Sequence, residues 1–126
     1  MPSNGFRRVD EVLLAMGVPM IAAHAAMATL GFRGGSVSRR VGIPIAIYEI
    51  LYYAVALATV IPPLTLTIPL YTFAAIHFAG GAAYVMGRPR IPSGVAVRAD
   101  LPRYYAVYEL VELAFLAALS YYIVFL

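Results

Sequence analysis

The chain has 126 residues and a formal net charge of +3, and 63% of its residues are hydrophobic while only 12% are charged. Soluble domains are about 45–50% apolar and about 25% charged, so a soluble fold of this size could not bury its apolar surface. The composition therefore excludes a water-soluble enzyme and a disordered chain and predicts an integral membrane protein, and the absence of cysteine excludes disulfides and thiolate metal sites.

Four apolar runs are long enough to cross a membrane, which takes about 20 mostly apolar residues. They cover residues 12–32, 43–61, 64–86 and 103–126. Pro44 is expected in the first turn of the second span, where proline is tolerated, and Gly87 is expected to end the third. The predicted fold is all-α, an integral membrane four-helix bundle that forms a single transmembrane domain over residues 1–126.

The basic residues predict the orientation of this bundle. All of them are arginines, and most lie in the connections that follow the first and third spans, at positions 33, 39, 40, 88, 90, 98 and 103. Cytoplasmic connections are rich in basic residues, so these two connections are predicted to face the cytoplasm and both termini the outer side. The expected location is the cell membrane, as a multi-pass protein.

Tyrosine is the aromatic residue available for the membrane interface, since the chain has ten tyrosines and no tryptophan. Three pairs, Tyr52-Tyr53, Tyr104-Tyr105 and Tyr121-Tyr122, fall near span boundaries or helix flanks. Amphipathic rings favour that depth, so the pairs are predicted to form an interfacial belt.

A weak internal repeat relates the two halves of the chain. The segment 46–51 (AIYEIL) is echoed by 106–111 (AVYELV), and each follows an arginine-rich connection at the start of an even-numbered span. Duplication of a two-helix unit, with a pseudo-twofold axis along the membrane normal, would explain the match. Chance similarity between apolar segments would explain it as well.

Five ionisable residues fall inside the spans: His24, Glu49, His77, Glu109 and Glu112. An ionisable group within a bilayer costs several kcal/mol, so each is a candidate functional residue. With a helical rise of 1.5 Å per residue, all five are expected in one slab between mid-membrane and the cytoplasmic half.

The two histidines have several interpretations. The first and third spans run in the same direction and would lie diagonally across an up-down bundle, so His24 and His77 could ligate a haem iron from opposite faces. Alternatively, they form hydrogen bonds between helices that pack closely. The stripe formed by Met16, Met20, His24 and Met27 has ligands that suit Cu(I), although such a stripe is more often a packed face.

The carboxylates suggest proton chemistry. Glu109 and Glu112 share one helix face, and two close carboxylates at low dielectric do not both ionise easily, which suits a proton relay or a quinone head group. Pairing of Glu49 and Glu109 with loop arginines such as Arg40 and Arg103 is the simpler alternative. By residue type, the five residues also match a carboxylate–histidine metal site, but the Glu-x-x-His pairs of di-iron bundles are absent.

The pattern resembles the DoxX/DoxD-like small four-helix membrane proteins. The similar features are His24 followed by residues 30–32 (LGF), Glu49 early in the second span, His77 in the third, and Tyr104-Tyr105 ahead of Glu109. The resemblance implies a quinone-linked redox subunit or accessory protein, because some members belong to thiosulfate:quinone oxidoreductases. It also implies Glu49 and His77 as site residues.

The expected function is that of a small subunit of a respiratory, quinone-linked electron-transport complex, without enzymatic activity on its own. His24 and His77 would be the cofactor or metal ligands, for haem b or a quinone, and Glu49, Glu109 and Glu112 the proton relay or quinone contacts. The alternatives are an oligomeric proton or ion transporter or channel that uses these carboxylates, and a purely structural accessory subunit. The expected partners are membrane lipid and other membrane subunits or further copies of the chain, and not nucleic acid.

Overall fold

A computed structural model describes residues 4–35, 37–87 and 101–125, and in these ranges the chain is helical apart from short connections. The elements are α1 (Asn4–Phe32), α2 (Arg39–Thr59), α3 (Leu64–Ile76), a π-helical turn (His77–Gly81), α4 (Ala82–Val85) and α5 (Leu101–Phe125). The segment from α3 to α4 is one continuous helix of 22 residues, called here the third span.

Four helices in the described ranges are long and apolar enough to cross a membrane, as the sequence predicts. They are Asp10–Phe32, Arg39–Thr59, Leu64–Val85 and Arg103–Phe125, with mean hydropathies between 1.3 and 1.8. Large apolar side chains such as those of Val18 and Ile68 are 68% and 63% exposed on the outside of the bundle. A helix that is apolar on all sides requires an apolar environment, so these faces are compatible with lipid.

The second helix starts earlier than its apolar run predicts. Its first turn is built by Arg39 and Arg40, and the carbonyl of Ser38 accepts hydrogen bonds from the N–H groups of Val41 and Gly42. Pro44 therefore lies in the second turn, and the prediction that it occupies the first turn is wrong. The reason is that polar residues extend a helix beyond the bilayer, which a hydropathy pattern does not register.

The helices form a ring in which each span packs against two neighbours. α1 packs against α2 and most extensively against α5, while the third span packs against α2 and α5. Among the described residues, the backbones of α1 and the third span are not neighbours, nor are those of α2 and α5. The first and third spans are therefore diagonal, as predicted for an up-down bundle.

Each helix turns one narrow stripe toward the bundle axis. On α1 the buried positions are 13, 17, 20, 24, 28 and 31, at the three- and four-residue steps of one helix face. His24 is thus on the core stripe of α1. An apolar core that includes Leu13, Met20, Leu116 and Leu119 fills the half of the bundle near the connection between α2 and α3.

The third span is capped at the opposite end of the bundle. Gly87, at φ +72°, ends the third span in the left-handed conformation that glycine favours, as the sequence predicts. The guanidinium of Arg39 donates hydrogen bonds to the carbonyls of Tyr84 (2.8 Å) and Val85 (3.3 Å) and lies over the Tyr84 ring. The predicted arginines at 88, 90 and 98 lie outside the described residues.

The two segments of the predicted repeat are buried alike. Ala46 and Glu49 are buried on α2, and Ala106 and Glu109 are buried at the corresponding places on α5. Equivalent faces therefore point inward, although the duplication itself stays a prediction, as does the orientation of the termini.

Candidate functional site

The five ionisable residues of the spans lie together at the centre of the bundle. His24 comes from α1, Glu49 from α2, His77 from the start of the π-helical turn, and Glu109 and Glu112 from α5. None of the five is more than 9% exposed. We call this group the His–Glu cluster. His24 precedes the end of α1 at Phe32 by eight residues, which places the cluster about 12 Å below that end of the bundle.

His24 contacts all three carboxylates. Its Nδ1 donates a hydrogen bond to Glu109 Oε2 on α5. Its Nε2 points to the other two carboxylates, 3.5 Å from Glu112 Oε1 and 3.8 Å from Glu49 Oε1, and forms no hydrogen bond. One ring therefore joins three helices, with one nitrogen engaged and the other aimed at the middle of the cluster.

His77 joins the third span to α2 and α5. Its Nδ1 is 2.9 Å from Glu49 Oε2, and its Nε2 is 2.6 Å from Glu112 Oε1. The Tyr53 ring stacks on the imidazole at 5.0 Å between ring centroids, and the Tyr53 hydroxyl donates a hydrogen bond of 2.6 Å to the same Glu112 oxygen. Glu112 of α5 is thus the common acceptor for groups from α2 and from the third span.

The local backbone of the third span is unusual at this site. A π-helical turn runs from His77 to Gly81, and such turns occur mostly as single insertions in helices, often at functional sites. Gly81 permits close approach to α2, because an added Cβ there would lie 3.1 Å from the Ile50 side chain. The wider turn and the small residue together set His77 against α2 and α5.

The charge of the cluster requires an additional proton or a bound cation. Three ionised carboxylates carry one more charge than two protonated imidazoles can balance. An unbalanced buried charge costs several kcal/mol. Arg40 and Arg103 are exposed and, within the part of the chain that the structure describes, form no ion pair with Glu49 or Glu109. The alternative interpretation, in which Arg40 and Arg103 pair with Glu49 and Glu109, is therefore not found in the structure.

Four buried polar atoms at the site have no hydrogen-bond partner in the structure. They are His24 Nε2, Glu49 Oε1, Glu112 Oε2 and the Tyr108 hydroxyl. Buried polar atoms in native proteins nearly always have partners, so each of these atoms requires an explanation. A proton, a water molecule, an ion or a ligand can each supply the missing interaction.

A cavity of about 450 Å³ leads to the cluster from the end of the bundle that carries the connection 33–38. Glu49, His77 and Glu109 form part of its wall, together with Tyr105 and Tyr108 of α5. The rest of the wall is mainly glycine and apolar side chains from the first three spans and the connection 33–38. The volume is that of a small-molecule pocket, and its polar groups are few and convergent.

The predicted tyrosine pairs differ in how far their side chains are exposed. Tyr52 and Tyr53 are both fully buried in the core, so their predicted place in an interfacial belt is wrong. Tyr104 and Tyr121 are 68% and 62% exposed, in keeping with such a belt. Tyr53 follows Glu49 by four residues and so shares its helix face, and this spacing is the sequence signal that would have found it.

A carboxylate occupies the space between the two imidazoles that a macrocycle would need. The ring centroids are 5.9 Å apart in an edge-to-face arrangement, and Glu112 Oε1 lies 2.6 Å from His77 Nε2 and 3.5 Å from His24 Nε2. A haem between the rings would require Glu112 to move, and haem binding stays a prediction. Met20 lies in the apolar core and Met16 packs against it, as expected if the methionine stripe of α1 is a packed helix face.

No family model, curated protein or solved structure matches this chain. The resemblance to the DoxX-like proteins therefore stays a prediction.

Proposed function

We propose that this chain is a small membrane subunit that binds a quinone in the cavity and exchanges protons with it through the His–Glu cluster. The observation that carries the proposal is the position of the cavity, which is within the membrane-spanning bundle and ends on Glu49, His77 and Glu109. An apolar pocket that ends on titratable groups suits a ligand with an apolar ring and carbonyl oxygens.

Quinone chemistry matches the groups at the inner end of this cavity. Reduction of a quinone to a quinol takes up two electrons and two protons, and the protons must reach carbonyl oxygens that lie away from bulk water. The Tyr108 hydroxyl lies at the cavity wall without a hydrogen-bond partner. His77, another residue of the cavity wall, is connected to Glu112 and Glu49. These groups can donate a hydrogen bond to a quinone carbonyl. When the carbonyl oxygen takes up that proton, the cluster can supply another to the donor.

The electrons would come from a partner subunit, so the chain would not be an enzyme on its own. The large apolar side chains on the outside of the bundle are available to contact lipid, other membrane subunits or further copies of the chain. A subunit of a respiratory electron-transport complex in the cell membrane fits this arrangement, and the DoxX-like resemblance points in the same direction.

The proposal predicts saturable quinone binding that depends on the cavity. Gly80 lines the cavity, and a Cβ added to it would meet no atom within 4 Å, so we expect the larger side chain of Gly80→Leu to occupy cavity space. Titration of the purified protein in lipid nanodiscs with a short-chain ubiquinone, followed by quenching of tyrosine fluorescence, should give saturable binding. We expect Gly80→Leu to weaken this binding at least tenfold.

Val18→Leu on the exposed outer face of α1 is the matched control, and its quinone affinity should equal that of the wild type. Circular dichroism establishes that both variants retain their helices. Non-saturable partitioning in the wild type, or equal affinities of wild type and Gly80→Leu, would contradict quinone binding in this cavity.

Proton transport is the second candidate, and the unbalanced charge of the cluster favours it. A path across the whole membrane would also have to pass the apolar core around Leu13, Met20 and Leu116, which fills the bundle beyond the cluster. Reconstituted vesicles with an internal pH dye distinguish the two functions. Proton flux that is lost in Glu112→Gln would support a transporter, and quinone binding without flux would support the redox subunit.

A further inference from the structure

We propose that the His–Glu cluster is a binding site for one divalent transition-metal ion, ligated by His24 Nε2, His77 Nε2 and the carboxylate of Glu112. This proposal does not depend on quinone binding. It rests on the convergence of ligand atoms, on the partners of the two imidazoles and on the buried atoms that have no hydrogen bond.

The ligand atoms already lie at distances close to those of a coordination shell. One ligand atom from each of His24, His77 and Glu112 falls within 4.8 Å of the others. His24 Nε2 is 3.5 Å from Glu112 Oε1. This distance is longer than an ordinary hydrogen bond. It is near the separation of about 3.4 Å between two ligands that bind a tetrahedral ion at 2.0–2.1 Å.

His77 needs only a small adjustment to join this shell. Its Nε2 is 2.6 Å from Glu112 Oε1, which is a hydrogen-bond distance. Replacement of that shared proton by a metal ion would lengthen the separation by roughly 0.8 Å. Metal ions bind deprotonated ligands, so this exchange releases the proton from the cluster.

The second nitrogen of each imidazole is held by a carboxylate. His24 Nδ1 donates to Glu109, and His77 Nδ1 lies 2.9 Å from Glu49 Oε2. Histidine ligands of metals almost always have such a partner, because it selects the tautomer whose other nitrogen presents its lone pair to the ion. The Tyr53 hydroxyl orients Glu112 in the same way. Glu109 and Tyr53 are therefore positioning residues.

One of the proposed ligand atoms, His24 Nε2, is buried and has no hydrogen bond. Glu49 Oε1 and Glu112 Oε2 are also buried and unpaired, and the three residues are between 0% and 6% exposed. A divalent ion would balance the charges of Glu49 and Glu112, the two carboxylates that have a free oxygen. The donor set of two imidazoles with one carboxylate, and no thiolate, suits Zn²⁺ or Fe²⁺ and disfavours Cu(I).

Cobalt titration tests the site directly. The wild-type protein, stripped with EDTA in detergent, should bind a single equivalent of Co²⁺ with visible ligand-field bands, and Zn²⁺ should displace it. We expect Glu112→Gln to lower the Co²⁺ affinity more than Glu109→Gln does, and loss of an outer partner typically costs about 10–100-fold. Glu11→Gln, which changes an exposed acid of α1, is the matched control and should bind as the wild type does.

Either of two results would overturn the metal site. The first is the absence of stoichiometric Co²⁺ bands in the wild-type protein. The second is wild-type Co²⁺ affinity in the Glu112→Gln and His24→Gln variants. A melting temperature of the wild type that does not rise with Zn²⁺ would also count against it, and this measurement needs no variant. Metal analysis of protein expressed in medium with both iron and zinc distinguishes the two ions. Gly80→Leu should retain Co²⁺ binding, so failure of the quinone proposal and failure of the metal site are separable.

Discussion

Glu112 is the residue on which the centre of the bundle depends. It is fully buried on α5 and accepts hydrogen bonds from Tyr53 and His77 on two other helices. Because lipid cannot satisfy a carboxylate, the rotation of α5 that brings this side chain inward is favoured by several kcal/mol. Glu112 thus sets the rotation of its helix as well as the chemistry of the cluster.

Two substitutions of Glu112 should differ in stability although neither introduces a charge. Glu112→Gln retains the shape and an acceptor oxygen, so the Tyr53 hydroxyl keeps its partner. Glu112→Leu leaves that hydroxyl and His77 Nε2 unpaired, at a cost of about 1–3 kcal/mol for each buried group. Thermal unfolding in detergent should show the lower melting temperature for the leucine variant. Equal stability of the two variants would mean that these hydrogen bonds contribute nothing measurable.

At the scale of the elements, the contact between the start of α2 and the end of the third span shapes the cavity. Gly42 lies against Tyr84, and a Cβ added to Gly42 would overlap the Tyr84 hydroxyl. The Tyr84 ring is in turn covered by the Arg39 guanidinium, which also caps α4. Glycine at position 42 therefore allows the two helices to approach and Tyr84 to form part of the cavity wall.

Gly42→Leu should destabilise the protein, because Tyr84 must leave its place and lose its contact with Arg39. Overpacking of this kind costs typically about 1–3 kcal/mol. In a Tyr84→Ala background the same substitution should cost much less, since the obstructing ring is gone, and the difference between the two backgrounds is the coupling energy of the pair. Gly80→Ala, whose Cβ meets no atom within 4 Å, is the control. Additive effects on the melting temperature would show that the two residues do not interact.

At the scale of the whole molecule, the cluster and the cavity lie toward one end of the bundle. The cavity reaches the connection 33–38, where Gly35 and Val37 are part of its wall, while the apolar core fills the other half. The distribution of arginines predicts that this end faces the cytoplasm. In that orientation, a quinone or a proton would reach the cluster from the cytoplasmic side.

Reporter fusions test this orientation. Alkaline phosphatase joined after Leu126 should be active, because the enzyme folds only on the outer side of the membrane. The same reporter inserted after Ser36, in the first connection, should be inactive, whereas a fluorescent protein at that site should fold in the cytoplasm. The reverse pattern would overturn the topology and place the cavity on the outer side.

The fold class and the identity of the buried polar residues were determined by the sequence alone. Span length and the cost of an ionisable group in lipid are properties of a segment taken by itself, so the four spans and the residues His24, Glu49, His77, Glu109 and Glu112 could be read from the chain. The depth of these residues along their helices was also predictable from the helical rise.

The contacts within the cluster were decided only by the tertiary structure. Helix rotation about its own axis and the direction of each side chain depend on how the four spans pack, and that packing is not encoded in the hydropathy of one segment. Packing determines that His24 Nε2 and His77 Nε2 both face Glu112 while their other nitrogens face Glu109 and Glu49. It also places the Tyr53 ring on the His77 imidazole and the Tyr53 hydroxyl on Glu112, because these contacts join residues of three different helices.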